Sequence, residues 1–337
     1  MPYRGSMVIA EAPTRSGRGL LVTAASGGPA VALALWAAVR VGGLDPGFPM
    51  IQLLAFTPFL LVVGIAVVAL AAVTRRVWPA VVAAVAVLAL GLCVLPRVVA
   101  DSRPVPDPGG PRLRVMSANL RIGAADPATI VARVRDGKVD LLALQEFTAP
   151  AEDGLRRAGL DDVLPYRVLS PHDQALGSAL YSRYPLTETG VRRHLSGFTQ
   201  ATGALDVPGA ARVYVESVHP CAPSDAERTA CWRADLADQP PATVDGPVRV
   251  LLGDFNATLD HAALRKLIAT GYRDAADVTG TGITRTWSHD GAWYLPGFTL
   301  DHVLADRRIG VSDVSVQAMP GSDHRSIAAT LVLPRSR

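Results

Sequence analysis

Apolar helices in front of an α/β domain are the architecture that this sequence predicts, on three observations. The long uncharged runs all fall in the first third of the chain, strand-length apolar runs alternate with helix-like stretches after Leu113, and a Pro/Gly-rich segment separates the two regions. The chain has 337 residues, 49% hydrophobic and 19% charged. Spread evenly, that composition would suit one large soluble core, so it is the uneven placement that argues for membrane segments.

Taken in order, Gly19–Val41, Met50–Val73 and Val77–Leu95 are nearly free of charge. Each is close to the roughly 20 residues that a helix needs to cross about 30 Å of hydrocarbon. The first is the weakest, because "SGGP" at Ser26 to Pro29 interrupts it. Arg4, Arg15 and Arg18 precede the first run, Arg75 and Arg76 fill the turn between the second and third, and "GGLDPGFP" between the first two holds no basic residue. The positive-inside rule then puts the N-terminus in the cytoplasm and everything beyond Leu95 outside. Reading the basic start as a cleaved signal peptide leads to the same exterior domain.

Residues 1–97 thus read as a tail with three transmembrane helices (about 19–41, 50–73 and 77–95) and 98–111 as a linker. Its "RPVPDPGGPR" favours an extended tether. Residues 112–337 read as one extracytoplasmic α/β domain. A formal charge of +3 is too small on this length to indicate nucleic acid as partner, and no protein partner is expected. Cys221 and Cys231 flank "APSDAERTA"; outside the cell a disulfide closing that loop is expected, two unrelated thiols being the alternative.

In the outer domain "LRVMSANL", "VDLLALQE", "SALYSRYPL", "ARVYVESVHP", "VRVLLGDFN", "TLDHVLAD" and "SIAATLVL" are strand-length and bounded by turn residues. "PATIVARVRDGK" and "DHAALRKLIATG" carry apolar residues at helical spacing, the second starting at Asp260. Asn119, Glu146, His219, Asp254 with Asn256, Asp301 with His302, and Asp323 with His324 fall at or near the C-terminal end of a run or in the loop beyond it. Strand ends on one sheet edge converge, so these residues can build one pocket. Each alone has a bland reading as a cap, a turn or a solvated end; the ordered set is harder to attribute to chance.

Carboxylates and an amide oxygen are hard ligands that suit Mg²⁺ or Mn²⁺, and histidines beside them suit phosphoryl transfer. No P-loop and no "GxSxG" is present, which disfavours P-loop triphosphatases and serine hydrolases.

The ordered motifs "MSANL", "LLALQE", "GSALYSRYPL", "SVHP", "LLGDFNA", "LDHVLA" and "GSDHRS" resemble those of the endonuclease/exonuclease/phosphatase superfamily, which holds DNase I-like nucleases, inositol phosphatases and sphingomyelinases. The resemblance implies a four-layer α/β sandwich with two central sheets. It implies Glu146 as principal metal ligand, helped by Asn119 and Asp323, and Asp254 with Asn256 holding the attacking water and scissile phosphate. His324, oriented by Asp301, resembles the phosphate-contacting or base histidine, and His219 the proton donor. Tyr181 and Arg183 fall in the strand that would shape the substrate site; Trp287 resembles a wall residue, and the role of His302 stays open.

In layout the chain is similar to the teicoplanin-resistance membrane proteins of actinobacteria. That likeness implies a membrane-anchored phosphohydrolase acting on a lipid or lipid-linked phosphate, such as a polyprenyl pyrophosphate, outside the cell membrane. The alternatives are an anchored nuclease or sphingomyelinase-like phosphodiesterase and, in another class, an inactive binding module.

Overall fold

The computed structural model describes residues 17–289 and 296–336. Arg4 and Arg15, which carry part of the orientation reading, lie outside them. The apolar third forms α1 (Gly17–Val41), α2 (Met50–Leu53), α3 (Thr57–Val73) and α4 (Val77–Val94). Two stretches are long and apolar enough to cross a membrane, Met50–Val73 with mean hydropathy 2.7 and Val77–Val98 with 2.5. Only 22% and 33% of their apolar windows are buried inside the protein, unlike the mostly buried core helix of a soluble domain. The expected three spans are therefore corrected to two among the described residues. In α1 the apolar stretch among the described residues, Ser26–Val41, is shorter than the roughly 20 residues a span needs.

The chain divides into two compact units. One holds α1 up to Ala38 together with Phe59–Gly91; the other holds Val39–Pro58 and Leu92–Arg337. In the first, Leu33, Ala37, Ala83, Ala86 and Leu90 pack into a small core. Gly64 permits the close approach, since a Cβ there would lie 2.6 Å from Val87 and 2.8 Å from Leu33.

The second unit is built on two six-stranded sheets. Its strands are β1 (Arg112–Asn119), β2 (Leu141–Gln145), β3 (Tyr166–Ser170), β4 (Ser178–Ser182), β5 (Leu186–Arg193) and β6 (Thr199–Leu205). They continue with β7 (Val213–Val218), β8 (Val248–Asp254), β9 (Tyr272–Asp274), β10 (Asp301–Asp306), β11 (Gly310–Ala318) and β12 (Arg325–Val332). The first sheet runs β11-β12-β1-β2-β4-β3 and the second β5-β6-β7-β8-β10-β9. Leu113, Val115, Leu141 and Leu180 of one meet Val213, Val250, Leu252 and Val303 of the other in a shared apolar core.

The opposite face of the first sheet buries Met116, Leu142 and Leu144 against α5 (Pro127–Asp136) and α6 (Ala149–Arg157). In α5 the Asp126 side chain accepts from the Thr129 N–H, Pro127 opens the first turn, and Ile130, Val131 and Val134 face inward. The second sheet carries α7 (Ala226–Ala237), α8 (Ala262–Ala269) and the short α9 (Ala275–Val278). The order helix, sheet, sheet, helix is the expected four-layer sandwich.

Two parallel pairs, β1 with β2 and β7 with β8, bring four strand ends to one edge. One expectation is corrected there. Asp301 opens β10, which runs antiparallel to β8 with Asp301 opposite Asp254, and Asp323 and His324 directly precede β12, antiparallel to β1. These three residues reach the edge from the starts of strands, not from their ends.

The loop after β8 is tied to Val39–Pro58. Asp260 is 1% exposed; its Oδ1 accepts from Arg40 Nε and Arg97 Nη2, both at 2.7 Å, and its Oδ2 from Arg97 Nη1 at 2.9 Å. His261 Nδ1 accepts from the Thr258 N–H, which leaves Nε2 to donate to the Ile51 carbonyl at 2.8 Å. The Asp45 carboxylate accepts from the N–H groups of Ala262 and Ala263 at 2.6 and 2.5 Å, capping α8 from far along the chain.

Candidate active site

The site grows from the end of β8. Gly253 lies at φ 155°, and a Cβ there would sit 2.0 Å from the Val218 carbonyl oxygen, so glycine alone lets β8 lie against β7 at this point. The next residue, Asp254, is 1% exposed and uses both oxygens. Its Oδ1 accepts from the Asn256 N–H at 2.8 Å and its Oδ2 from Asn119 Nδ2 at 3.0 Å. His324 Nε2 and His219 Nε2 stand 3.5 and 3.7 Å from the same Oδ2.

Asn119 joins this carboxylate to a second one, since its Nδ2 also donates to Glu146 Oε1 at 3.1 Å. Glu146 Oε2 accepts from the Ile122 N–H at 2.7 Å. Behind His324, Asp301 Oδ2 lies 2.9 Å from Nδ1 and fixes the ring. Asp323 Oδ2 accepts from Trp287 Nε1 at 3.1 Å, which makes Trp287 a wall that also orients an acid. Asn256 Nδ2 donates to the Pro220 carbonyl at 3.1 Å, tying the Asp254 loop to the residue after His219. Arg121, Ile122, Glu146 and Asn256 all have left-handed backbone, φ 48° to 54°, and gather at this one edge. Such strain collects where surrounding structure enforces a functional shape.

Burial, helped by the Asp301 charge and opposed by His324, pushes Asp254 above the usual carboxylate range. Burial also raises Glu146, against the hydrogen bonds from Asn119 and Ile122. It depresses His219. Burial opposes charge on His324 too, but Asp301 and Asp254 outweigh it and push its pKa up to about 10.

The donor set fits a hard cation. Carboxylate oxygens of Asp254 and Asp301 lie within 4.8 Å of each other, and the buried Asp301 Oδ1 has no hydrogen-bond partner; the charged His324 beside them is a donor and not a ligand. Glu146 adds a further carboxylate, joined to Asp254 through Asn119 Nδ2, while Asn119 Oδ1 accepts from the Arg121 N–H.

Two expected substrate residues lie elsewhere. Tyr181 is 1% exposed in the core between the first sheet and its helices, with its ring 6.2 Å from Phe147. Arg183 pairs with Asp140 at 2.9 Å, just before β2 begins. Because β4 runs antiparallel to β2, its C-terminal end lies at the far edge from Glu146. His302 is structural: Nδ1 lies 2.7 Å from Asp274 Oδ2 and Nε2 2.8 Å from the Ala257 carbonyl, so both ring nitrogens are engaged away from the site.

Sequence reasoning passed over Gln145 and Ser217. Ser117 Oγ donates to Gln145 Oε1, and Gln145 Nε2 donates to Ser217 Oγ at 2.9 Å, stitching the two sheets beneath Glu146 and His219. A glutamine at the end of an otherwise apolar strand, one residue before the metal-ligand candidate, was the available signal.

The Cys221–Cys231 bridge is formed, with Cα atoms 6.0 Å apart.

No curated protein sequence matches the chain. An endonuclease/exonuclease/phosphatase from Beutenbergia cavernae has TM-score 0.51 at 21% identity, over 66% of this chain and 72% of that one. A humanized D. rerio TDP2 has TM-score 0.54 at 14% identity, over 65% and 98%. At such identities the likeness concerns the fold. The Endonuclease/Exonuclease/phosphatase family model matches residues 116–324, from the middle of β1 to the site histidine before β12, and the chain belongs to that family.

Proposed function

We propose that this chain is a membrane-anchored, divalent-metal-dependent phosphohydrolase. In this reading it works outside the cytoplasmic membrane on a lipid-linked phosphate or pyrophosphate, such as a polyprenyl pyrophosphate. The observation that carries it is the single buried oxygen, Asp254 Oδ2, ringed by Asn119, His219 and His324 with Asp301 behind. The two long apolar stretches support anchoring, which would raise the effective concentration of membrane substrates at the site.

Glu146, Asn119 and Asp323 would hold Mg²⁺ or Mn²⁺, beside Asp254 and Asp301. A bound ion of this kind neutralises phosphate oxygens and acidifies water. Asp254, with its raised proton affinity, takes the proton of the attacking water, and the Asn256 N–H keeps its other oxygen in place. His324 is charged at neutral pH and aims Nε2 into the same space, so it is the group that gives a proton or hydrogen bond to phosphate. His219, whose pKa burial depresses, stands with Nε2 3.7 Å from Asp254 Oδ2 and 3.9 Å from Glu146 Oε1, placed to give a hydrogen bond as a neutral ring in place of the proton that family resemblance implies.

The test is to assay the full chain in detergent against polyprenyl pyrophosphate, sphingomyelin and DNA, with and without Mg²⁺ or Mn²⁺. The lipid pyrophosphate should be cleaved only with metal. Glu146→Gln should lose most of that activity and recover part of it at high metal, since Gln keeps shape without charge. Preferred cleavage of DNA or sphingomyelin would transfer the reading to a phosphodiesterase; no cleavage of any of the three would favour the binding module.

A further inference from the structure

The segments flanking the apolar helices reach the proposed catalytic loops by two routes. Asp260 lies in the irregular loop that follows Asp254 and holds Asn256, and Arg40 and Arg97 bind it with three short hydrogen bonds. Arg40 Nη2 also donates to the Leu259 carbonyl at 3.1 Å. Arg233 of α7 donates to the carbonyls of Asp45 and Pro46, so the Val39–Pro58 segment is held from both sides. The second route is a ladder of rings. Phe56 meets Phe298 edge to face at 4.9 Å, Phe298 stacks on Trp287 at 6.1 Å, and Trp287 Nε1 donates to Asp323.

We propose that Arg40, Arg97 and Asp260 are positioning residues for hydrolysis, with Phe56 a weaker one: the flanks of the apolar helices hold the two loops that carry Asp254 and Asp323 in working register. This rests on the reading of the site as hydrolytic. Stability alone leaves one feature unexplained. The left-handed Asn256 must be over-determined by its surroundings to persist, and its loop is otherwise held by neutral contacts with Pro220, Trp232, His302, Ile51 and the Leu300 carbonyl, and by Arg265 on backbone carbonyls. Among the described residues the ion pairs on that loop are those of Arg40 and Arg97 with Asp260, and Arg265 of α8 adds hydrogen bonds to the Leu259 and Asp260 carbonyls. Both arginines of the pair come from outside the matched 116–324 stretch but within the same compact unit, so the family domain here takes its catalytic register from the flanking segments Val39–Pro58 and those following Leu92.

The test uses the full chain in detergent with bis(p-nitrophenyl) phosphate and saturating Mg²⁺ as a water-soluble probe, which removes any effect on lipid access. Arg40→Gln and Arg97→Gln each leave one arginine on Asp260 and so favour a folded product, checked by a melting curve. A misplacement of about 1 Å can cost on the order of 10²-fold, so a partial release should lower kcat by roughly 10-fold with KM within about twofold. Arg40→Lys and Arg97→Lys should restore part of the loss. Phe56→Leu should lower kcat in the same direction by less. Arg308→Gln, which breaks the Arg308–Asp306 pair at the other end of β10, is the control for loss of an ion pair as such and should leave kcat unchanged. Folded arginine variants with wild-type kcat, or a loss equal to that of Arg308→Gln, would overturn the proposal while leaving the hydrolase reading intact. Wild-type protein inactive on this probe and on all three candidate substrates would remove both.

Discussion

Asp254 at the end of β8 and Asp260 in the loop after it stand six residues apart and are equally buried, yet burial has opposite outcomes for them. Asp254 faces two histidines and another carboxylate and is pushed above its usual pKa. At Asp260 burial also works against the charge, but the Arg97 and Arg40 guanidiniums outweigh it and hold the carboxyl below its usual value. The first acid is left under-compensated beside the orphaned Asp301 Oδ1, as a site that binds a cation and moves protons requires; the second is saturated with donors, as a fastening requires. Shared burial therefore says little about role. The partners decide it.

Neutralising each acid separates the two most sharply. Asp254→Asn should cost about 10²- to 10⁴-fold in hydrolysis, the usual scale of lost acid–base catalysis. Its folded pKa is raised, so its ionised form contributes no stability at neutral pH and the melting temperature should hold or rise. Asp260→Asn strands two buried arginines, and breaking a buried pair in this way costs about 3–5 kcal/mol. Parallel melts and initial rates check both. Equal destabilisation by the two variants would erase the distinction.

The same contrast has a pH signature. The folded pKa of Asp260 lies below its ordinary value of 3.8, so its contribution is fully present above that pH and is lost as pH falls through the lower folded value. Acid unfolding of the wild type below pH 3.8 should therefore be steeper than that of Asp260→Asn, followed by circular dichroism. Coincident slopes would show that the clamp carries no net charge-linked stability.

Most of the Asp254 half of this comparison was legible in the sequence, and almost none of the Asp260 half. Asn119, Glu146, His219, Asp254, Asp301, Asp323 and His324 each sit in a short motif at a strand boundary; convergence of strand ends accounts for the first four, while Asp301, Asp323 and His324 join them from the starts of antiparallel strands. Arg40 and Asp260 are 220 residues apart, with no local pattern linking them. Asp260 itself reads as a helix-start residue, but the N-cap position is His261 and the carboxylate on the first turn of α8 is Asp45, 217 residues earlier. Tyr181 and Arg183 misled because a strand's direction is set by its neighbours; antiparallel pairing with β2 sends Arg183 to the wrong edge. β5 and β11 escaped notice because these edge strands are largely exposed and carry Thr, Ser, Arg and Glu in place of a continuous apolar run.

The Cys221–Cys231 bridge supplies the mildest way to sharpen the comparison, because it fastens the His219 side of the site without carrying charge. It closes a loop with a sequence separation of 10, for which the chain-entropy account gives about 3 kcal/mol. Cys221 directly follows Pro220, whose carbonyl accepts from Asn256. That residue is also tied down from β8, and the Cys221 N–H is held by Asp235 at 3.0 Å independently of the sulfur. Reduction should therefore lower the melting temperature by roughly 6–12 °C for a domain of this size while leaving kcat within about twofold. Melts and rates with and without a phosphine reductant, repeated on the Cys221→Ser, Cys231→Ser double variant, measure both quantities. A reduced protein that melts normally but loses most of its turnover would reverse the ranking: the disulfide would then be the fastening that sets catalytic register, and the arginine clamp only a contributor to stability.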